Sequence, residues 1–250
     1  MFDINDIDLV IFTETWSNEN FNYSVPNFKH HTLHRVKNVN RSKRSSGGLI
    51  VYIHERLSDN VEFLKTSEDC VLWVRLKNCS SSCELANDVL LCVAYNVPKG
   101  SSREVFIDRN IFDIITNDML YYENMYTDCQ FVITGDFNAR ISNRYDFVID
   151  DDTLHVHSIP DDYVQDVYLP RFSQDKNVNE YGNYLLEFCK ATGLRVVNGR
   201  LGLDANVGKY TCVNTQGASV VDYVLCKQCF FKYIHKFAVH DPNIVSDHCF

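Results

Sequence analysis

Four short acidic or polar segments lie at or inside apolar runs of the sequence, where strand ends could bring their side chains to one edge of a sheet. The residues in these segments that could do chemistry are Glu14, Asp136, Asn138, Asp222, Asp247 and His248. Carboxylate and amide oxygens are the ligands that hard cations such as Mg²⁺ prefer. If the segments converge, the sequence predicts a pocket that could hold a divalent cation. A single strand-end carboxylate such as Glu14 is, taken alone, more often only solvated.

The segment Gly135-Asp136-Phe137-Asn138 follows an apolar run directly. A glycine turn would direct Asp136 and Asn138, two residues apart, toward the same side of the chain. The carboxylate could then hold a water molecule, and the amide could hold a phosphate oxygen. An Asx-type turn that closes a strand is the structural alternative for the same residues.

Asp222 stands inside the apolar run 220–225, and an unpaired carboxylate is expensive to bury. His248 would be a suitable partner, because a neighbouring carboxylate fixes the tautomer of an imidazole and favours its charged form. A charged His248 could stabilise a phosphorane-like transition state. Asp247 would then face the metal.

Short runs rich in β-branched and aromatic residues predict strands over 8–13, 48–54, 70–76, 89–96, 130–134 and 220–225. Most of these runs are apolar on both faces, so we expect sheets that pack against each other or against helices. Helices are predicted over 103–123 and 179–192, and Gly193 is the predicted stop of the second. The pattern favours a layered α+β domain. The Asp-rich stretch 146–166 is expected to be a surface insertion.

The formal net charge of −9 argues against a generic, salt-sensitive nucleic-acid binder. The charge is uneven, however, since no acidic residue lies between Glu19 and Glu55 while several lysines and arginines do. This distribution predicts a basic face, and solvated loops of opposite sign are the alternative. The candidate nucleic-acid contacts are Arg41, Lys43, Arg44 and Arg140.

Ten cysteines are present, but the N-terminus lacks the features of a secretory signal. We therefore expect reduced thiols and a soluble intracellular protein, cytoplasmic or nuclear. Cys226 and Cys229 form a CxxC with His235 and His240 downstream, yet the spacing fits no common zinc finger, so a zinc site there is disfavoured. No apolar run approaches the roughly 18 residues that a membrane span requires.

Five ordered motifs are more specific than any single one: ETW (14–16), YNVP (95–98), GDFNAR (135–140), VDYVL (221–225) and SDHC (246–249). This series resembles the endonuclease/exonuclease/phosphatase superfamily, which includes apurinic/apyrimidinic endonucleases and pancreatic-type deoxyribonuclease. The segments 171–175 and 179–198 resemble the endonuclease domain of LINE-like, non-LTR retrotransposons. The resemblance covers nearly the whole chain. It implies a four-layered α/β sandwich, in which two mixed β-sheets lie face to face and helices flank them.

The resemblance also implies roles for individual residues. Glu14 would be the main metal ligand and Asp247 would complete the metal environment, with Mg²⁺ or Mn²⁺ as the ion. Asp136 would orient or deprotonate the attacking water, and Asn138 would hold the phosphate and support Asp136. Tyr95 would touch the scissile phosphate, and Asp222 with His248 would form the supporting pair.

The implied substrate is DNA, and the implied product is a nick whose 3′-hydroxyl primes reverse transcription by a reverse transcriptase domain downstream in the same polyprotein. The superfamily pattern has a first strand carrying an Asn before the strand that ends in the metal-binding Glu, and a closing strand after SDHC. We therefore expect residues 1–250 to form a single domain that is incomplete at both termini. Two alternatives stay open: another phosphoesterase of this fold, acting on abasic sites, phosphoinositides or sphingomyelin, and a catalytically dead remnant that only binds.

Overall fold

The computed structural model describes residues 6–17, 19–20, 22–34, 47–66, 68–78, 87–101, 110–149 and 166–250. Two compact units are distinguished, one comprising Met1–Asn138 with Asp222–Val224 and the other Ala139–Val221 with Leu225–Phe250. The single domain expected over 1–250 therefore stays a prediction. Helices and strands are both present, which confirms the α+β class.

A three-stranded antiparallel sheet in the first unit contains β1 (Leu9–Thr13), β2 (Phe28–Leu33) and β3 (Leu49–His54), in the order β1-β3-β2. The central strand β3 is apolar and almost completely buried, as its sequence predicts. Strand β2 was not predicted, because its sequence FKHHTL begins with a buried Phe28 and continues with exposed Lys29 and His30. Such an edge strand has too little apolar alternation to be recognised.

The larger sheet contains six strands in the order β4-β5-β6-β7-β11-β8. Their bounds are β4 Val61–Phe63, β5 Val71–Leu76, β6 Val89–Tyr95, β7 Gln130–Asp136, β8 Leu194–Val196 and β11 Asp222–Lys227. Strands β5 and β6 are antiparallel, whereas β6 and β7 run parallel with Tyr95 opposite Asp136. The sheet is therefore mixed, and its parallel pair brings two strand ends with polar residues to the same edge.

Within the first unit, the three-stranded sheet packs against strands β5 and β6 of the larger sheet through one shared core. Its buried members come from β3, β5 and β6 and the residues that follow: Leu49, Val51, Ile53, Leu72, Val74, Leu91, Val93, Tyr95 and Val97. Each fully buried aliphatic side chain contributes about 1.5–3 kcal/mol relative to an exposed one. This core confirms the predicted packing of sheet against sheet.

Helix α1 (Ile111–Met125) covers the other face of the larger sheet. Trp73 on β5 packs edge-on against Tyr122 of the helix, with ring centroids 5.4 Å apart, and its indole N–H donates to Asp118 (2.9 Å). The helix was predicted to start at residue 103, but the Asn110 side chain accepts the N–H of Phe112 and caps a helix that begins at Ile111. Residues 103–109 of that prediction are outside the described residues.

The second unit contains α2 (Glu180–Thr192) and the hairpin β9 (Cys212–Asn214) with β10 (Gly217–Ser219). The Asn179 side chain caps the start of α2, and Gly193 ends it in the left-handed conformation at φ +69°, as predicted. Strand β11 was predicted over 220–225 but begins at Asp222 and ends at Lys227, because its second half pairs with β8. Asp222 is thus at the start of this strand and is half-buried.

Asp146, the first residue of the stretch 146–166 that was predicted to be a surface insertion, is instead completely buried, whereas Val148 and Ile149 are exposed. Both carboxylate oxygens accept hydrogen bonds from Arg200 at 2.6 Å, and the N–H of Val196 donates to one of them at 2.7 Å. Residues 150–165 of the stretch are outside the described residues. The start of the acidic stretch is therefore a structural anchor of the second unit.

Eight cysteines lie in the described ranges, and none of them forms a disulfide. In the part of the chain that the structure describes, neither helix is long or apolar enough to cross a lipid bilayer.

Candidate active site

Asp136 is the last residue of β7 and is 3% exposed. The preceding Gly135 has φ +143°, and a Cβ atom there would lie 1.9 Å from the carbonyl oxygen of Ala94 on β6. Only glycine permits this close approach of the two parallel strands. The Asp136 carboxylate is therefore fixed at the strand end by backbone geometry that no other residue at position 135 allows.

Asn138 holds this carboxylate through two hydrogen bonds. Its backbone N–H donates to Oδ1 of Asp136 (2.8 Å), and its side-chain Nδ2 donates to Oδ2 (3.1 Å). The first bond is the Asx-type turn considered as a structural alternative. This turn and a chemical role of Asp136 are compatible, because the turn keeps the Asp136 carboxylate buried and oriented at the strand end.

Asn96, which was not among the predicted site residues, joins the ends of β6 and β7. Its amide Nδ2 donates to the carbonyl of Phe137 (2.9 Å), and its own carbonyl accepts from Nδ2 of Asn138 (2.7 Å). Its backbone N–H donates to the carbonyl of Asp136 (2.8 Å). Asn96 is 7% exposed, so these bonds are shielded from water. The available signal was its position directly after Tyr95, in a motif that ends a strand.

Glu14 and Tyr95 meet in the first unit. The phenol of the buried Tyr95 donates to Oε1 of the exposed Glu14 (2.8 Å). Glu14 has φ +55° and Trp16 has φ +52°, a conformation that costs about 1–2 kcal/mol per residue. The N–H of Trp16 donates to the carbonyl of Gly47 (2.8 Å), which holds this turn in place. Both the turn and Tyr95 therefore orient the Glu14 carboxylate.

Asp222 lies close to Asp136. One carboxylate oxygen from each falls within 4.8 Å of the other. Two carboxylates at this distance repel each other, and a divalent cation that prefers oxygen ligands would remove the repulsion. These donors fit Mg²⁺ or Mn²⁺. Glu14 belongs to none of the potential metal-ligand clusters that the described residues form, so its role as a ligand stays a prediction.

Asp247 and His248 belong to the second unit. His248 is half-buried and forms an isolated β-bridge with Cys212 of strand β9, whereas Asp247 is exposed. One potential ligand atom from each of these three residues lies within 4.8 Å of the others. Cys212 was not predicted as part of any site, because nothing in the sequence connects it with a histidine far along the chain. The pairing of His248 with Asp222 remains a prediction.

Arg140 forms a bidentate ion pair with Asp175, through Nε to Oδ2 and Nη2 to Oδ1, both at 2.7 Å. Burial raises the pKa of the Asp175 carboxyl. The hydrogen bonds from Arg140 and from the backbone N–H groups of Asn177 and Val220 outweigh that effect, so the pKa lies below its ordinary value. The side chain of Arg140 is 30% exposed. Its predicted contact with nucleic acid stays untested.

The remaining predicted nucleic-acid contacts, Arg41, Lys43 and Arg44, are outside the described residues. Cys226 of the CxxC is buried in β11, and burial raises the pKa of its thiol to about 12, whereas Cys229 is exposed. Across the described ranges, no potential metal-ligand cluster contains either cysteine.

No protein-family model and no curated protein sequence matches the chain. Solved structures do match. The endonuclease domain of TRAS1, a telomere-specific non-LTR retrotransposon, gives a TM-score of 0.57 at 12% identity, over 98% of this chain and 83% of that one. The catalytic domain of APE2 from Xenopus laevis gives 0.62 at 12% identity, over 98% and 82%. The 3′-5′ exonuclease NExo from Neisseria meningitidis gives 0.54 at 12% identity, over 98% and 88%.

These likenesses extend over almost the whole chain at low sequence identity, so they establish the fold. The chain has the fold of the endonuclease/exonuclease/phosphatase superfamily, and the endonuclease domain of a non-LTR retrotransposon is among its structural relatives.

Proposed function

We propose that the chain is a divalent-metal-dependent phosphodiesterase that nicks DNA, with the role of a non-LTR retrotransposon endonuclease. The observation that carries the proposal is the buried Asp136 carboxylate, fixed at the end of a parallel strand and within 4.8 Å of Asp222. Structural relatives support it, since they include a retrotransposon endonuclease domain and a 3′ phosphatase bound to product DNA.

In this proposal Asp136 orients the attacking water and accepts its proton. Asn138 is mainly a positioning residue. Its amide group has two N–H donors, and the structure directs one to Asp136 and one to the carbonyl of Asn96. Contact with the phosphate would require one of these bonds to be exchanged. Tyr95 orients Glu14 through its phenol. In this proposal it also contacts the scissile phosphate.

Glu14 and Asp247 would hold the metal, and Asp222 would support His248, which stabilises charge on the phosphate. When bound, Mg²⁺ or Mn²⁺ would neutralise charge that develops on the phosphoryl oxygens. Phosphoryl transfer depends mainly on positioning and electrostatic stabilisation. In this proposal Asp136 and Asn138 supply the positioning, and His248 with the metal supplies the stabilisation.

Plasmid nicking tests the proposal. Supercoiled plasmid is incubated with the protein and Mg²⁺ or Mn²⁺, with and without a chelator, and relaxed circles are quantified. We expect metal-dependent nicking that falls about 10²- to 10⁴-fold in Asp136→Asn, the usual contribution of a general base. Asp113→Asn, which changes an exposed carboxylate on α1, is the matched control and should retain the wild-type rate.

Substrate and role are tested on the same preparation. An abasic-site oligonucleotide, a phosphoinositide and sphingomyelin are offered separately, and the nicked ends are offered to a reverse transcriptase. Extension from the nick would show a 3′-hydroxyl, as a retrotransposon endonuclease and a reverse transcriptase partner require. Faster turnover of a small phosphoester would favour the alternative phosphoesterase. Binding of DNA without cleavage, in wild type and variant alike, would favour the inactive remnant.

A further inference from the structure

Cys212 on β9 lies directly opposite His248 in the second unit. Two backbone hydrogen bonds flank this pair. The N–H of Val213 donates to the carbonyl of Asp247 (2.7 Å), and the N–H of Cys249 donates to the carbonyl of Thr211 (2.7 Å). Cys212 and His248 are thus a non-hydrogen-bonded antiparallel pair. In such a pair the opposing side chains leave the same face and approach each other most closely. The backbone pairing therefore places the Cys212 thiol and the His248 imidazole next to each other.

Asp247 adds a third donor to this pair. The thiol of Cys212, a carboxylate oxygen of Asp247 and a ring nitrogen of His248 all lie within 4.8 Å of one another. In a tetrahedral zinc site the donors are about 2.0–2.3 Å from the ion and hence roughly 3.5 Å apart. The donor atoms of the three side chains would have to move only slightly closer together to reach that geometry.

The donor types distinguish this set from the oxygen donors of the first unit. A thiolate and an imidazole favour Zn²⁺ over Mg²⁺, and three protein ligands leave one position of a tetrahedral ion open. Cys212 is 8% exposed, whereas Asp247 is exposed and gives an ion access. The side-chain amide of Asn214 lies 3.9 Å from the Cys212 sulfur and is available to support a thiolate.

We propose that Cys212, Asp247 and His248 bind one Zn²⁺ ion, and that this ion inhibits the enzyme. Binding of the ion displaces the thiol proton of Cys212 and engages the imidazole of His248. Inhibition follows because a zinc-bound His248 cannot stabilise charge on the phosphate, and a zinc-bound Asp247 cannot hold the catalytic metal. The inhibition rests on the proposed function, whereas the binding does not.

Cobalt binding tests the site independently of activity. The metal-free, reduced protein is titrated with Co²⁺, and the sulfur-to-cobalt charge-transfer absorbance in the near ultraviolet is followed. We expect one equivalent to bind with this absorbance, and Zn²⁺ to displace it. Cys212→Ser should abolish the absorbance. Cys249→Ser is the matched control, because Cys249 is next to His248 in sequence but is outside the ligand cluster of the described residues.

Asp247→Ala tests the site with a variant that is expected to fold, in case Cys212→Ser does not. Asp247 is exposed, so its replacement should preserve the far-ultraviolet circular dichroism. We expect it to weaken Co²⁺ binding at least ~10-fold. The proposal is overturned if the wild-type protein gives no charge-transfer absorbance, or if Cys212→Ser folds and keeps it. It is equally overturned if Cys249→Ser, rather than Cys212→Ser, removes it.

Inhibition is measured by plasmid nicking at fixed Mg²⁺ with increasing Zn²⁺, each variant being normalised to its own zinc-free rate. The half-inhibitory Zn²⁺ concentration should rise at least ~10-fold in Cys212→Ser and stay unchanged in Cys249→Ser. Equal zinc sensitivity in wild type and Cys212→Ser would overturn the inhibitory role. A chain that binds Co²⁺ through Cys212 but never nicks DNA would contradict the proposed function and leave the zinc site established.

Discussion

Two buried carboxylates of the second unit, Asp146 and Asp175, have surroundings opposite to those of Asp136 in the first unit. In the second unit Asp146 and Asp175 each receive two hydrogen bonds from an arginine, together with backbone N–H groups. In the first unit Asp136 is held by the neutral Asn138 and lies near a second carboxylate, that of Asp222. An arginine neutralises a buried acid within the fold itself. An acid placed near another acid is instead suited to an external cation.

This contrast separates structural acids from chemical ones better than burial does. Asp146 and Asp136 are almost equally inaccessible, at 0% and 3% exposure. Their neighbours differ in charge, and charge decides what each can do. We therefore expect substitution of an acid paired with an arginine, such as Asp146, to lower stability. Substitution of an acid placed near another acid, such as Asp136, should lower activity.

Replacement of Asp146 should have the largest effect on stability. Asp146→Asn leaves the guanidinium of Arg200, whose side chain is 2% exposed, without its counterion. We expect the free energy of unfolding to fall by about 3–5 kcal/mol, as for other broken buried ion pairs. Asp136→Asn should change it by less than ~1 kcal/mol, because an amide oxygen still accepts from Asn138. Urea unfolding followed by circular dichroism measures both, and equal losses would remove the distinction between the two regions.

The glycine turn before Asp136 should be the next most sensitive feature. Gly135→Ala places a Cβ 1.9 Å from the Ala94 carbonyl oxygen, so strands β6 and β7 must separate. We expect a loss of more than ~2 kcal/mol in unfolding free energy, with a loss of nicking. Gly100→Ala is the control, since Gly100 has φ +78° with open space around it and should cost only about 1 kcal/mol. Similar losses of unfolding free energy for the two variants would show that the positive φ angle matters and that the close approach of β6 and β7 does not.

Acid should affect the second unit through Asp175. The pKa of this carboxyl in the folded protein is below its ordinary value of 3.8. Its contribution to stability is therefore complete above pH 3.8 and is lost as the pH falls through the lower, folded-state pKa. Asp175→Asn should flatten the acid side of the stability curve, measured by urea unfolding from about pH 5 to about pH 1. A curve parallel to that of the wild type would show that Arg140 does not stabilise the charged form.

The smallest of these effects is expected at Tyr95. Tyr95→Phe removes the hydrogen bond to the exposed Glu14 and should lower the free energy of unfolding by about 0.5–1.5 kcal/mol. If Tyr95 orients the Glu14 carboxylate toward a metal, the Mg²⁺ concentration for half-maximal nicking should rise. Tyr121→Phe, on an exposed side chain of α1, is the control. An unchanged metal requirement would leave Tyr95 with a packing role only.

Much of the fold and part of the candidate site could be predicted from the sequence, wherever a local pattern of residues carries the information. The apolar runs identified β3, β5, β6 and β7, and Gly193 identified the end of α2. Asp136 was found because a glycine and two polar residues follow an apolar run. The resemblance to one superfamily was specific enough to give the fold, which the solved structures confirm.

The rest depends on contacts between residues distant in sequence. The only sequence signal for Asn96 was its position directly after Tyr95, and Cys212 gave none, because the contacts of both residues are with partners distant in sequence. The stretch beginning at Asp146 looked like a solvated loop, since an acidic composition does not show that Arg200 will neutralise one of its members. The start of α1 was misplaced because apolar residues continue the helical spacing upstream of the Asn110 cap.

Parallel alignment of β6 with β7 also bears on how the chain folds. A parallel pair cannot form through a tight hairpin, and here α1 lies on the connection between the two strands. The loop entropy of that connection must be overcome before the pairing adds stability, which slows folding. The hydrogen bond from Asn138 to the carbonyl of Asn96 requires this pairing, so recovery of nicking after dilution from denaturant should lag behind recovery of secondary structure.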